Sequence, residues 1–267
     1  MTVAQPLPPA IRIMLALIRH TPLSHGRPRK SILKLVKRYV NYPIITDFRG
    51  IPFILNLDNT TEAKALFGHY NLEELAFLKE HTAHDHAIFI DLGANAGFYT
   101  QNFLGYGRNR LALAIEPNPD MCQRIKNNYA LLRQELPYEG STLAVVCNAV
   151  GEAYKDARLD VSHGWGSANI TENKKDNTVP VKMVPLLDII SKYDIKKIDL
   201  MKVDIEGYED RALIPFFEQA CPNLYPRHMI VEHTSSDEWA ADLLAVLDDK
   251  GYVTIRKTRG NLLLSLK

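Results

Sequence analysis

Apolar residues fall along this chain in two alternating rhythms. Short, nearly unbroken apolar runs at 87–92, 111–115, 143–148, 198–203 and 228–231 read as strands, buried on both faces as in a parallel sheet covered by helices. Between them, apolar positions three and four apart predict helices over 98–104, 120–136, 184–193 and 238–250, with another starting at Tyr208. Upstream, helices are expected over 31–40, 62–67 and 72–79. Residues 252–257 and 262–266 flank Thr258-Arg259-Gly260-Asn261 and predict a closing hairpin. The order is that of an α/β domain, assigned to 47–267 and preceded by a separate arm and helix over 1–46. Polar, turn-rich residues 151–181 break the rhythm and read as an insertion or lid.

Ligands in open α/β sheets bind beyond the carboxyl ends of the strands, so the residues delivered there form the candidate site. The first strand ends on Asp91 and runs into Gly93-Ala94-Asn95-Ala96-Gly97 before a helix opening at Phe98. This is the grammar of a tight turn that holds a small ligand at a helix N-terminus. The second strand delivers Glu116, Pro117 and Asn118, and the third Asn148 and Ala149. The fourth gives Asp204 and Glu206, the fifth Glu232 and His233. None of these positions is Lys or Arg. Such an edge suits a cationic or polyhydroxyl ligand better than one bearing phosphate.

Two cofactors compete for this pattern. A nicotinamide dinucleotide asks for Gly-x-Gly-x-x-Gly and an acid about 20 residues further on. Glu116, 19 residues after Gly97, meets the second demand. Asn95 fails the first, because it stands where a second glycine must admit the pyrophosphate. S-adenosyl-L-methionine brings ribose hydroxyls for Glu116 and a sulfonium for the acidic edge, with no phosphate. The loop chemistry favours it.

The same segments carry a family resemblance. Asp91-Leu92-Gly93-Ala94-Asn95-Ala96-Gly97-Phe98-Tyr99-Thr100, Ile115-Glu116-Pro117-Asn118-Pro119 and Met201-Lys202-Val203-Asp204-Ile205-Glu206-Gly207-Tyr208-Glu209 resemble the FkbM family of S-adenosylmethionine-dependent methyltransferases. The likeness spans about residues 60–257 and is most specific over 202–209. It implies a class I, Rossmann-like domain, with a mostly parallel seven-stranded sheet, helices on both faces and an antiparallel C-terminal hairpin. It also implies O-methylation, typically of a hydroxyl on a sugar or secondary metabolite. Tyr208 departs from the small residue usual there and points to a narrower or restacked pocket top.

Roles follow for the individual residues. Gly93 and Gly97 permit the turn around the donor's methionine end, with Ala94, Asn95 and Phe98 completing the loop. Asp91 holds the loop amides or the donor's amino group, or simply caps the helix. Glu116 accepts from the ribose, with Pro117 and Asn118 beside it, while Asn148 and Ala149 line the adenine. Methylating a hydroxyl needs positioning and removal of a proton. Asp204, which also borders the donor's sulfonium, leads as the group that takes it or orients the hydroxyl, Glu206 is the second carboxylate in reach, and His233 is a further general base or a structural histidine. The alternative for both acids is to cap the following helix. Asp204, Glu206 and His233 have the chemistry of a divalent-ion site, but their spacing does not demand one and no metal is expected. Trp165 and Ser167 are the candidate lid residues. A nicotinamide-dependent oxidoreductase and a degenerate fold serving as a binding module stay open as alternatives.

Charge separates the two ends of the chain. Residues 1–46 hold Arg12, Arg19, Arg27, Arg29, Lys30, Lys34, Lys37 and Arg38 and no acid, leaving 24 basic against 31 acidic residues elsewhere. That balance disfavours nucleic acid as a partner of the body. For the arm two readings stand: a helix packing through Ile32, Leu33, Leu35, Val36 and Val40, or a basic patch for anionic lipid or an acidic partner. No apolar run approaches the roughly 18 residues of a membrane span. Cys122, Cys147 and Cys221 are odd in number, far apart and without Cys-x-x-Cys spacing. Neither a disulfide nor a zinc site is expected from them, and a cytoplasmic setting is the simplest location.

Overall fold

Every run read as a strand is a strand in the computed structural model, with ends shifted by up to two residues. The structure describes residues 4–136, 140–161, 169–171 and 177–267. The candidate lid residues Trp165 and Ser167 lie outside them. The chain divides into two compact units, Met1–Leu72 with Asn127–Pro137, and Glu73–Lys126 with Tyr138–Lys267.

The first unit holds β1 (Gln5–Pro6), α1 (Pro9–Ile18), α2 (Gly26–Tyr39), β2 (Ile44–Phe48), β3 (Ile51–Leu55) and α3 (Thr60–Leu66). β1 pairs parallel with β2, and β2 antiparallel with β3. Neither α1 nor the β2–β3 hairpin is among the predicted elements. The hairpin has its own signal: Ile44, Thr46 and Phe48 are buried in alternation, and Arg49 and Gly50 turn the chain with φ of 54° and 84°. Leu15, Val36, Phe48 and Phe53 are buried in this unit. Asn128 Oδ1 accepts from the Ile54 amide at 2.7 Å.

The second unit begins in α4 (Leu72–His81) and continues through β4 (Ile88–Leu92), α5 (Phe98–Gly105), β5 (Leu111–Ile115), the first residues of α6 (Pro119–Glu135) and β6 (Thr142–Val146). A smaller sheet follows, built from β7 (Ala149–Val150), β8 (Lys155–Asp160), β9 (Asn169–Thr171) and β10 (Thr178–Val184) in the order β7-β10-β8-β9. Then come α7 (Leu186–Lys192), β11 (Leu200–Val203), α8 (Glu209–Gln219), β12 (His228–Glu232), α9 (Leu243–Asp249), β13 (Tyr252–Lys257) and β14 (Asn261–Leu266). The main sheet runs β13-β14-β12-β11-β4-β5-β6. Its five strands from β12 to β6 are parallel, β14 runs antiparallel to them, and β13 pairs antiparallel with β14 at the edge. This is the Rossmann-like class I methyltransferase architecture. One face contributes Ile90, Leu113, Met201 and Met229, which pack with Ile190, Leu213, Phe216 and Leu247 from the helices. No helix among the described residues is long and apolar enough to cross a membrane.

Three expectations are corrected. The helix read from 184 starts at Leu186, because Val184 is held in β10 and the residue before a proline avoids helical backbone. The helix read from 238 starts at Leu243. The Ala240 and Ala241 amides instead donate to Asp210 Oδ2 at 2.7 and 3.1 Å, and Asp242 caps the shorter helix through the Ala245 amide. Finally, Cys122 and Cys147 are paired as a disulfide, their Cα atoms 6.2 Å apart. The β5–α6–β6 crossover returns the first turn of α6 to the end of β6, which spacing alone does not reveal. Cysteine usage therefore ceases to argue for a reducing compartment.

Glu74 on α4 joins the sheet's closing hairpin. Its Oε1 accepts from Thr258 Oγ1 at 2.6 Å and from Asn261 Nδ2 at 3.0 Å, in a position only 5% exposed. Glu74→Ala is expected to cost about 1–3 kcal/mol by stranding buried donors. Urea denaturation reads this directly, and an unchanged midpoint would show that the contact contributes nothing.

Candidate active site

The first loop is shaped by where it must pass. Gly93 has φ 77°, and a Cβ there would lie 1.8 Å from the backbone oxygen of Asp204. Only glycine lets this loop run against the end of β11. The Gly93 and Ala94 amides donate to the Ile115 carbonyl at 3.0 and 3.1 Å, which ties the loop to β5 as well. Gly97, at φ 80°, keeps α5 against Ile125 of α6, 3.1 Å from where its Cβ would stand. Asn95 takes φ 49°, a left-handed state that asparagine tolerates. Buried Phe98 opens α5.

Asp91 caps the helix, the second of its two readings. Its Oδ2 accepts from the Thr100 amide at 3.0 Å and the Thr100 hydroxyl at 2.6 Å, inside the first turn of α5. Its Oδ1 is fully buried and has no hydrogen-bond partner among the described residues. Burial pushes this carboxyl's pKa up, while Lys202 and the Thr100 donors work the other way. An unpaired buried carboxylate oxygen is costly, and a ligand ammonium is the group that would satisfy it.

Glu116, at the end of β5, organises the adjoining loops. Its Oε2 accepts from the Asn95 amide at 2.8 Å and its Oε1 from the Asn118 amide at 2.9 Å. Each carboxylate oxygen keeps a further lone pair. Burial raises its pKa to about 7 despite those two amides. Half-buried Pro117 lies between the bonded positions, and buried Asn118 caps α6 by accepting from the Asp120 amide at 3.0 Å. Asn148 donates its Nδ2 to the Lys182 carbonyl at 3.2 Å, and buried Ala149 pairs with Met183 in β7–β10. Asn148 also borders a cavity of about 360 Å³ lined by Tyr154, Asp188, Lys192 and Tyr193. None of the strand-end acids lines that cavity.

Sequence reasoning gave Lys202 no role, yet it sits at the centre of the site. It lies opposite Asp91 in the β4–β11 register and is 3% exposed. Its Nζ is 3.1 Å from Asp204 Oδ2, 3.4 Å from the Gly93 carbonyl and 5.1 Å from the centre of the Tyr99 ring. Burial alone would lower its pKa, but Asp204, Asp91 and Glu116 outweigh that and raise it.

Asp204, the expected leading base, is thus engaged by an ammonium. Glu206 is not. It stands at φ 54° and is half-buried, and its carboxylate makes no hydrogen bond or ion pair among the described residues. Desolvation, with Asp204, Glu232 and Glu209 nearby, lifts its pKa to about 7. Neither acid caps α8. Fully buried Glu209, the first residue of α8, instead ties down the loop before the helix, accepting from the Ile205 amide at 2.9 Å, the Gly207 amide at 3.1 Å and Trp239 Nε1 at 2.8 Å. Burial raises the pKa of Glu209 too. Glu232 accepts from the Thr234 amide at 2.7 Å and from the Thr234 hydroxyl. His233 points elsewhere: its Nε2 is 3.4 Å from the Thr258 carbonyl in the hairpin turn. Among the described residues no group of three His, Cys, Asp or Glu side chains is arranged to hold a metal ion.

A model of the methyltransferase FkbM domain matches residues 91–254, more than half of the chain. The chain belongs to the FkbM methyltransferase family. Curated proteins yield no match. Among solved structures, the FkbM methyltransferase from Methylobacillus flagellatus KT is 15% identical, over 97% of this chain and 76% of its own, at a TM-score of 0.46. A methyltransferase from Geobacter sulfurreducens is 12% identical, over 96% of each chain, at 0.44. The precorrin-6y C5,15-methyltransferase from Geobacter metallireducens GS-15 is 13% identical, over 73% of this chain and 89% of its own, at 0.40. Nothing about the site follows from likenesses this distant. In this FkbM-family domain the matched segment contains every strand-end acid described above.

The raised pKa of Glu116 fixes the sign of a pH effect. Between the ordinary carboxyl value and about 7 the folded protein retains a proton that the unfolded chain has lost. Stability from this group is therefore present at low pH and lost as pH rises through that window. Glu116→Gln should gain stability relative to the parent on moving from about pH 5 to about pH 8, by up to roughly 3 kcal/mol. Urea denaturation at both pH values checks this; a pH-independent difference would contradict the assigned shift.

Proposed function

We propose that this FkbM-family protein is an S-adenosylmethionine-dependent O-methyltransferase acting on a hydroxyl of a sugar or secondary metabolite. The observation that carries this reading is Glu206, a free, half-buried carboxylate with a pKa of about 7 at the end of β11. A general base works best when its pKa lies near the working pH. Asp91 Oδ1, buried and without a hydrogen-bond partner among the described residues, suits the donor's amino group. Glu116, with a lone pair left on each oxygen, suits the two ribose hydroxyls. Asn148 and Ala149 stand at the adenine end.

When bound, the donor supplies a methyl group already activated by its sulfonium. The chain's own share is then positioning and proton removal. Glu206 takes the proton of the acceptor hydroxyl on a carboxylate oxygen. Asp204, held by Lys202 at 3.1 Å, accepts from a neighbouring hydroxyl of the polyhydroxyl acceptor and so orients it. Asn95 speaks against a dinucleotide, because its amide is already given to Glu116 and its side chain fills the place a glycine would leave bare.

Calorimetry should show binding of S-adenosylmethionine and none of NAD; absence of donor binding would overturn the reading. Glu206→Gln should reduce transfer of labelled methyl to a panel of sugars and polyols by a factor on the order of 10² to 10⁴, with donor affinity intact. Transfer by the parent should rise with pH through about 7 as Glu206 ionises. Undiminished transfer by the variant would remove Glu206 as the base.

A further inference from the structure

Eight large apolar side chains are exposed among the described residues, and five of them, Ile13, Leu17, Leu23, Leu35 and Tyr39, fall in one short stretch of the first unit. On α1, exposed Pro9, Ile13, Ala16 and Leu17 recur at three- and four-residue spacing, while Leu15 is 1% exposed. The helix thus turns an apolar stripe toward water, the reverse of the usual surface arrangement. Ile13 and Leu17 are 60% and 72% exposed, so this stripe is not covered by the unit itself.

Charge accompanies the apolar residues. α2 exposes Arg27, Lys30, Lys34 and Arg38, with Leu35 and Tyr39 among them. Of the eight cations in 1–46, Arg19 and Lys37 face Asp47 and Asp58, at 3.9 and 2.8 Å. Arg12 and the four exposed cations of α2 meet no acid among the described residues, and no acid occurs before Asp47. A second copy docked through the same face would set like charges against each other. An acidic protein surface would pair with the cations and leave Ile13 and Leu17 in water. An interfacial lipid layer meets both at once, with phosphates for the cations and the acyl boundary for the apolar side chains. Tyrosine is also suited to that depth.

We infer that residues 9–39 form a surface that docks reversibly on an anionic lipid bilayer. α1 and α2 lie in the headgroup layer, and neither is long and apolar enough to span it. The contact has two parts, cations for the phosphates and Ile13, Leu17 and Tyr39 for the acyl boundary.

The full chain should co-sediment with phosphatidylcholine vesicles containing phosphatidylglycerol and not with phosphatidylcholine alone, and added salt should weaken the binding. Changing Lys30, Lys34 and Arg38 together to Gln should lower partitioning on the order of a hundredfold, since each cation near the surface is worth roughly fivefold. Leu17→Asp keeps every cation and should lower it about tenfold. Both variants should melt like the parent and keep its affinity for S-adenosylmethionine, which separates lost docking from lost folding. No sedimentation with anionic vesicles at low salt would overturn the inference. So would unchanged binding by Leu17→Asp, which would leave a charge contact only. Binding to polyglutamate but not to vesicles would overturn it in favour of an acidic protein partner.

Discussion

Asp91 and Glu116 are carboxylates buried at the ends of neighbouring strands, and desolvation raises the pKa of each. The ammonium of Lys202 opposes that shift at both positions, and it also pairs with Asp204. A charge buried without a partner is strongly unfavourable, whereas a paired set tolerates burial. The parallel β4–β11 register places Lys202 opposite Asp91. Gly93 then lets the first loop pass close enough for its carbonyl to approach the same ammonium. Donor loop and strand-end acids are thereby fixed to one another through a single cation.

The two acids of β11 are differentiated by the same constraint. Asp204 faces Lys202, so its charge is spoken for and its geometry is set. Glu206 lies two residues further, in a left-handed conformation among like charges. Carboxylates set in different environments acquire different roles. Glu209 supports this arrangement from below by holding the Ile205 and Gly207 amides, with Trp239 fixing its own orientation.

Much of the fold was legible because strands of a covered parallel sheet are apolar throughout, and each was interrupted by an acid or a turn residue. The acids at those ends were legible for the same reason. Lys202 was not, since a lysine inside an apolar strand acquires meaning only from a partner on another strand, and register is invisible in one sequence. The Cys122–Cys147 pairing was hidden likewise by the crossover between its halves. α1 was missed because a helix with an apolar stripe toward water and Arg12 within it does not show the usual amphipathic signal. His233 was read from its place at a strand end, yet its ring turns to the hairpin. Position along the chain gives a side chain's address and not its direction.

The balance between burial and Lys202 is most directly tested by following the Glu206 carboxyl by carbon NMR through a pH titration, in the parent and in Lys202→Met. The parent should titrate at about 7. Removing the ammonium removes an influence that lowers this pKa, so the midpoint of the variant should move to higher pH. A Glu206 midpoint in the ordinary carboxylate range, or one that does not respond to Lys202→Met, would contradict the account.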